Sequence, residues 1–206
     1  MNVYARTIFP RLLDWGLSGQ ATAQYRQQVL APVAGEVLEV GSGTGLNLPY
    51  YPSAVRRLRA VDPNPGMHRL AAQRCDHATF AIERHTARAE ALPFADASFD
   101  SAVSTWTLCS IPALARALAE IRRTLKPGGC FAFLEHGLSP EPRVQRCQHG
   151  LTPLQKRIAD SCHLNRDLGQ AIAAAGFAIA ELNHAYLAGT PKPLGYLYYG
   201  TATKGD

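Results

Sequence analysis

A short segment near the start of the chain constrains the fold more than any other feature. Residues 37–45 read VLEVGSGTG, an apolar run that contains one acid and is followed by glycine at alternate positions. The apolar run suits a buried parallel strand, and the glycines let the backbone approach a ligand without hindrance from Cβ atoms. The segment therefore predicts a strand that ends in a ligand-binding turn.

The spacing of the glycines indicates which ligand this turn binds. A dinucleotide fingerprint requires a glycine three positions after Gly43, where this chain has Leu46, and no lysine follows as a phosphate-binding loop requires. A second acid, Asp62, ends the next apolar run at 58–61, where a carboxylate can accept hydrogen bonds from both hydroxyls of a ribose. The loop and the acid together predict S-adenosylmethionine as the cofactor, and Leu46 argues against a nicotinamide oxidoreductase.

From residue 36 onward the sequence alternates between strand and helix patterns, which predicts an α/β fold with a mostly parallel sheet. Strands are predicted at 36–40, 57–62, 78–83, 99–105 and 129–135, with an antiparallel pair at 178–184 and 194–203. Helices are predicted at 21–30, 65–74, 112–125 and 166–175. The segment 137–150, rich in Pro, Gly, Arg and Gln, is predicted to be a long loop.

Composition fits a single α/β domain and excludes several other classes of protein. The 206 residues are 47% hydrophobic and 18% charged, and no stretch reaches the roughly 20 apolar residues of a membrane span. The start lacks the continuous apolar core of a signal peptide, so we expect a cytoplasmic protein. Five scattered cysteines indicate reduced thiols. The net charge of +5 comes from dispersed basic residues, which do not indicate nucleic-acid binding. The sequence does not indicate an oligomeric state.

Residues 1–35 precede the first strand and are predicted to form a helical segment of the same domain as residues 36–206. Apolar side chains recur in it at helical spacing, although Pro10 interrupts the pattern. These side chains are Tyr4, Ile8, Phe9, Leu12, Leu13 and Trp15. Two interpretations are open: a helix packed on the core, or a lid that supplies apolar surface to an acceptor pocket or contacts a membrane.

Five motifs occur in an order typical of one enzyme family. They are residues 37–45, residues 61–64 (VDPN), residues 89–94 (AEALPF), residues 98–100 (SFD) and residues 125–129 (LKPGG). Through them the chain resembles the class I S-adenosylmethionine-dependent methyltransferases, methyltransferase domain type 11. The resemblance implies a Rossmann-like, doubly wound, seven-stranded and mostly parallel sheet with an antiparallel last strand, and it favours a helical lid over residues 1–35.

Three further segments resemble, within that superfamily, the alkyl-thiol methyltransferases of animals and their bacterial relatives. They are Cys109-Ser110, Glu135-His136 and residues 160–166 (DSCHLNR). This narrower resemblance implies methyl transfer to a small, mostly apolar acceptor, with a thiol as one candidate. The same core also resembles quinone and phosphatidylethanolamine methyltransferases, so a lipid or quinone acceptor is an alternative. A non-catalytic module that binds S-adenosylmethionine is an alternative of another class.

The cofactor-binding residues are predicted from the glycine loop, the end of the second strand and the family motifs. Glu39 is expected to organise the loop and the ammonium group of the cofactor, and Asp62 to hold the ribose. Arg88 departs from the family pattern, because many relatives have at this position an Asp that reads the adenine amino group. The predicted set is Glu39, Gly41, Ser42, Gly43, Thr44, Gly45, Asp62, Pro63, Asn64, Met67, Ala89, Glu90 and Thr105.

His136 is the predicted catalytic residue. It follows the fifth predicted strand, at the sheet edge where the methyl group is expected, and would serve as a base or an acceptor anchor; a hydrogen-bonded loop histidine is the alternative. A thiol acceptor needs little help from a base, because a few per cent of it is thiolate at neutral pH. The spacing of Cys147, His149, Cys162 and His163 matches none of the usual zinc patterns, so no metal is predicted.

Overall fold

The structure, a computed structural model, describes residues 4–205 and is built around one seven-stranded sheet. The strands are β1 Gly35–Val40, β2 Val55–Val61, β3 Ala81–His85, β4 Phe99–Thr105, β5 Leu125–His136, β6 Phe177–Tyr186 and β7 Tyr196–Lys204. Their order in the sheet is β3-β2-β1-β4-β5-β7-β6. Neighbouring strands pair in parallel except where β7 pairs with β5 and β6. The sheet predicted from the sequence is thereby confirmed.

Helices precede, separate and follow the strands. They are α1 Phe9–Leu17, α2 Gln20–Leu30, α3 Pro65–Cys75, α4 Leu114–Thr124, α5 Pro142–Ile158, α6 Leu168–Ala174 and α7 Lys192–Gly195. A π-helical turn at Tyr4–Ile8 precedes α1, and a 3-10 turn at Leu48–Tyr50 follows the glycine loop. Among residues 4–205, no helix combines the length and the apolar character that crossing a membrane would require.

Helices cover both faces of the sheet, and the core is therefore double. In β5, Phe131 and Phe133 belong to one apolar cluster with α4 and α6, whereas Ala132 and Leu134 belong to a second cluster with α2. All four side chains are fully buried. Successive residues of a strand point to opposite faces, so burial on both faces explains why the central strands are nearly continuous apolar runs.

The predicted loop at 137–150 is wrong, because most of it belongs to α5. Pro142 lies in the first turn of this helix, where a missing N–H disrupts no intrahelical bond. Gln148 fixes the helix to the chain before it: the side chain accepts a hydrogen bond from the Ser139 amide at 2.9 Å and donates one to the Gly137 carbonyl at 2.9 Å. Sequence patterns assign such an anchoring position to an apolar residue. Because a buried glutamine occupies it here, the sequence of this helix reads as that of a polar loop.

Two other predictions differ from the structure at their boundaries. The third strand occupies Ala81–His85 and not 78–83. Pro10 does not interrupt the N-terminal helix but lies in the first turn of α1, where its fixed φ suits helix initiation. The remaining predicted strands and helices, including the antiparallel pair at the end, are confirmed to within a few residues.

The carboxyl ends of the central strands lie side by side at one edge of the sheet. Val40 of β1 is in register with Val61 of β2 and with Ser104 of β4, and Thr105 is in register with Leu134 of β5. This register brings the glycine loop, the turn after β2, the turn after β4 and the end of β5 to one edge. Ligands bind at this edge in open α/β sheets.

Candidate functional site

The glycine loop that follows β1 has a backbone conformation that glycine adopts without strain. Gly41, Gly43 and Gly45 have positive φ angles of 72°, 52° and 81°. The Gly41 amide donates to the Val61 carbonyl at 2.8 Å and so ties the loop to the end of β2. A Cβ at Gly41 would overlap the side chain of Thr107. The loop therefore requires glycine at Gly41 both for its φ angle and for the space beside it.

Asp62 lies beside the loop at the carboxyl end of β2. Its Oδ2 accepts a hydrogen bond from the Gly43 amide at 3.0 Å, and its Oδ1 accepts one from the Asn64 amide at 2.8 Å. Each oxygen keeps a lone pair for a further donor, and the side chain lines the cavity described below. Burial raises the pKa of Asp62 to about 6, although the two backbone amides act in the opposite direction. When ionised, this carboxylate can accept two hydroxyl groups of a ligand.

Glu39 lies behind the glycine loop and is not among the residues that line the cavity. Its Oε1 accepts a hydrogen bond from the side-chain nitrogen Nδ2 of Asn47 at 2.6 Å, and that nitrogen also donates to Thr105 Oγ1 at 3.0 Å. The side-chain oxygen Oδ1 of Asn47 accepts a hydrogen bond from Arg26 Nε at 3.1 Å. Among residues 4–205, no donor makes a hydrogen bond of normal geometry to Glu39 Oε2. The Tyr51 hydroxyl nevertheless lowers the pKa of this carboxyl, against the effect of burial. Glu39 therefore orders the loop through Asn47.

Asn47 and Arg26 were not predicted from the sequence. Arg26 lies on α2 before the first strand, and Asn47 follows the loop, yet both are buried and linked to each other. Single polar residues carry no periodic signal, so nothing in the sequence connects them with Glu39. Their partnership exists only because α2 packs against the sheet beside the loop.

We expect the protonation of Glu39 to make stability without cofactor depend on pH. Burial raises the pKa of Glu39 from 4.5 to about 7, so the folded state holds this proton more tightly than the unfolded state. This group alone should therefore lower the free energy of unfolding by about 3 kcal/mol as pH rises from about 4.5 to about 7. Urea unfolding at about pH 5 and about pH 8 measures the change.

Glu39→Gln is the matched variant for this prediction, because its amide oxygen can still accept from Asn47 but does not titrate. It should lose about 3 kcal/mol of the decrease and keep the parts that come from Asp62 and Glu135, whose pKa values burial also raises. If wild type and Glu39→Gln lost the same free energy of unfolding over this range, Glu39 would not be the group that titrates.

A cavity of about 790 Å³ occupies this edge of the sheet. Its volume lies within the range of sites that enclose small ligands. Arg88, which stands in place of the Asp of many relatives, also lines it, whereas Gly45 faces Leu48 and Ala71 instead. The predicted cofactor-binding residues that line it are Gly41, Ser42, Gly43, Thr44, Asp62, Pro63, Asn64, Met67, Ala89, Glu90 and Thr105.

Helix α1 covers part of this cavity. Phe9 and Leu13 line it with apolar surface. Asp14 fixes the helix to the glycine loop, because its Oδ1 accepts hydrogen bonds from Thr44 Oγ1 at 2.5 Å and from an Arg74 guanidinium nitrogen at 2.7 Å. The ion pair with Arg74 lowers the pKa of Asp14 despite partial burial. Helix α1 is therefore packed against the glycine loop and the cavity, and its role as a lid stays a prediction.

The three segments that carry the narrower resemblance converge in the wall of the cavity. Cys109, His136 and Cys162 each place one sulfur or ring nitrogen within 4.8 Å of the other two, and all three side chains are buried and line the cavity. Cys162 Sγ lies 2.9 Å from His136 Nε2. The neighbouring Cys162 thiol, and after it the His136 imidazole, lower the pKa of the Cys109 thiol against the effect of burial. We call these three residues the thiol–imidazole cluster.

Glu135 orders the turn after β4 that carries Cys109. Its carboxylate accepts hydrogen bonds from the Thr107 amide, at 2.8 Å to Oε2, and from Ser104 Oγ, at 2.8 Å to Oε1. Burial raises the pKa of Glu135 to about 8. Because Glu135 directly precedes His136, the same strand end positions the imidazole and the turn opposite it.

Known proteins resemble this chain in sequence. Residues 38–133 match the family described as "Methyltransferase domain". The chain is 36% identical over 150 residues to thiol S-methyltransferase TMT1B of Rattus norvegicus, covering 71% of this chain and 61% of that protein. It is 35% identical over 153 residues to thiol S-methyltransferase TMT1A of Homo sapiens, covering 72% and 62%. A demethylmenaquinone methyltransferase of Clavibacter sepedonicus is 32% identical over 135 residues, covering 65% and 54%. The chain thus spans about three-fifths of the length of these thiol methyltransferases.

Solved structures share the fold at low sequence identity. A phosphoethanolamine N-methyltransferase of Haemonchus contortus superposes with a TM-score of 0.73 at 15% identity, covering 96% of this chain and 57% of that chain. The 1,6-didemethyltoxoflavin-N1-methyltransferase of Burkholderia thailandensis superposes with a TM-score of 0.65 at 20% identity, covering 95% and 81%. At such identities these likenesses concern the architecture of the sheet and its helices.

Proposed function

Since the chain belongs to the methyltransferase domain family, we propose that it is an S-adenosylmethionine-dependent methyltransferase that acts on a small, mostly apolar thiol. One observation carries this proposal. A single cavity is lined by the glycine loop, by Asp62, by the thiol–imidazole cluster and by apolar side chains from α1. Cofactor and acceptor can therefore meet within one cavity.

The loop end of the cavity fits S-adenosylmethionine. The Asp62 carboxylate lines the cavity with a free lone pair on each oxygen, as a ribose diol requires. Gly43 leaves room for a ligand against the backbone, since the nearest atom to its Cβ position lies at 3.9 Å. The Glu39 carboxyl is buried behind the loop, and its ionised form would favour a cationic amino group nearby. When bound, the cofactor supplies a methyl group on a positively charged sulfur.

The acceptor end suits a thiol. Methyl transfer from a sulfonium requires in-line approach of the nucleophile, and correct positioning can supply roughly 7 to 11 kcal/mol of the barrier. A thiol with a pKa near about 8.5 already provides some thiolate at neutral pH, whereas an alcohol must first lose a proton. His136 lines this end of the cavity, and we predict that it anchors the acceptor. The relatives named as thiol methyltransferases support a sulfur acceptor.

The test is a comparison of matched acceptors with the full chain and S-adenosylmethionine. An alkyl thiol, the alcohol of equal chain length and a short-chain quinol are assayed for release of S-adenosylhomocysteine. We expect the thiol to react at least about tenfold faster than the alcohol, because thiolate is already present. The quinol is included because a relative is named as a demethylmenaquinone methyltransferase.

Each contrary result of this assay identifies a different error. If the quinol reacted fastest, the acceptor would be a quinol and not a thiol. Equal rates for thiol and alcohol would contradict the argument that available thiolate makes the thiol react faster. Binding of the cofactor without product from any acceptor would indicate a non-catalytic module.

A cytoplasmic location and a peripheral membrane contact through the N-terminal segment stay predictions. The segment turns apolar side chains outward: Trp15 is 83% exposed, and Leu12 and Ile8 are about half exposed. Arginine side chains accompany them, because Arg6 and Arg11 are also exposed. Such a surface suits the interface of an anionic membrane, and co-sedimentation with lipid vesicles would measure the contact.

A further inference from the structure

The thiol–imidazole cluster has the composition of a transition-metal site. Cys109, His136 and Cys162 offer two sulfurs and one ring nitrogen, which are the donor types that zinc prefers. Three protein ligands with an open fourth position are typical of catalytic zinc. None of these residues has a part in holding the ribose or in shaping the glycine loop, so the cofactor does not account for the cluster.

The spacing of the donor atoms is compatible with one ion at their centre. In a tetrahedral zinc site with bonds of about 2.0 to 2.3 Å, ligand atoms lie roughly 3.5 to 3.8 Å apart. The three donor atoms of the cluster lie within 4.8 Å of one another. The 2.9 Å contact between Cys162 Sγ and His136 Nε2 is a hydrogen-bond distance and would widen by about 0.6 Å when an ion enters. A side-chain rotation can supply this change.

Hydrogen bonds hold the turn after β4 and the segment that carries Cys162 together without an ion. The Cys109 carbonyl accepts from the His163 amide at 2.9 Å and is also 3.2 Å from His163 Nδ1. The guanidinium of Arg166 donates to the Leu108 carbonyl. The turn after β4 is thus joined to the segment that carries Cys162. The fold therefore holds these two ligand residues close together before any ion binds.

The surroundings of the cluster favour ligands whose charge is neutralised. Cys109 and Cys162 pack with Leu164 in a small apolar cluster against Ala159. Two thiolates in such a place are costly to bury, but two thiolates and a divalent cation sum to zero charge. The neutral imidazole adds a ligand without adding charge.

We propose that Cys109, His136 and Cys162 bind one zinc-type ion whose open fourth position faces the cavity and takes the sulfur of the acceptor. The second half of this proposal rests on the proposed function. The acceptor thiol would bind as thiolate and release its proton to solvent. A bond then forms between that sulfur and the methyl carbon while the bond from the methyl carbon to the cofactor sulfur breaks, which leaves a thioether and S-adenosylhomocysteine. His136 would act as an anchor through the ion and not as a base.

Cobalt titration tests the ion without requiring turnover. The full chain is stripped of metal, reduced with a phosphine and titrated with Co²⁺, whose spectrum reports sulfur ligands and tetrahedral geometry. We expect one ion per chain, sulfur-to-cobalt charge transfer and intense visible bands. Cys109→Ser and Cys162→Ser should each lose charge-transfer intensity and weaken cobalt binding by at least about tenfold. Cys147→Ser is the matched control, because that thiol is exposed and outside the cluster.

Folding of the variants is checked by their affinity for S-adenosylmethionine, which should stay near that of wild type. The assignment is overturned if wild type binds no cobalt, if folded Cys109→Ser binds it as wild type does, or if protein purified without reductant contains a Cys109–Cys162 disulfide and no metal. An alkyl thiol should shift the charge-transfer spectrum and the matched alcohol should not; no shift overturns coordination of the acceptor. Cobalt binding without any methyl transfer would support the ion and overturn the proposed function.

Discussion

Asp62→Asn is expected to weaken binding of S-adenosylmethionine ten- to a hundredfold. An asparagine cannot accept from both the Gly43 and the Asn64 amides as Asp62 does, because one of its two positions is an NH₂ donor. The ribose also loses one acceptor, and each buried polar group left without a partner costs roughly 1 to 3 kcal/mol. Isothermal calorimetry measures the affinity.

Asp96→Asn is the matched control for this substitution. Asp96 is an exposed carboxylate that pairs with Arg123 away from the cavity, so its neutralisation should leave the affinity unchanged. If folded Asp62→Asn bound the cofactor as tightly as Asp96→Asn does, Asp62 would not be the ribose ligand, and the position of the cofactor in the cavity would have to be revised.

Gly41→Ala is expected to abolish cofactor binding at accessible concentrations and to destabilise the protein by several kcal/mol. Two effects combine at this position. A non-glycine residue at a φ of 72° costs roughly 1 to 2 kcal/mol. Its Cβ would also overlap the Thr107 side chain, whose displacement disturbs the turn held by Glu135. Thermal unfolding and cofactor calorimetry give the two readouts.

Gly128→Ala separates the two effects. Gly128 has a similar φ of 69°, but its Cβ position has no neighbour within 4 Å among the described residues. It should lose only the stability that the backbone strain costs and should bind the cofactor normally. Equal losses of stability in the two variants would show that the space beside Gly41 has no role.

The sequence by itself determined the sheet and the cofactor end of the site. Strand and helix patterns are local, and glycine loops record a backbone conformation directly, so β1, β4, α3 and the loop at 41–45 were predictable. Asp62 was also predictable, because a residue that directly follows a parallel strand in the sequence lies at the ligand-binding edge of the sheet. The narrower motifs named Cys109, Glu135 and His136, but not what they form together.

Only the tertiary structure decided which polar residues meet. Gln148 anchors α5 to the backbone at 137–139, and Arg26 is linked to Glu39 through Asn47. No periodic pattern in the sequence connects these residues with their partners. The donor atoms of Cys109, His136 and Cys162 converge from the turn after β4, the end of β5 and the segment after α5. The spacing of cysteines and histidines along the chain did not predict this cluster. The physical reason is that hydrogen bonds and metal ligands depend on distance in space, and apolar periodicity fixes the elements without fixing which polar side chains face one another.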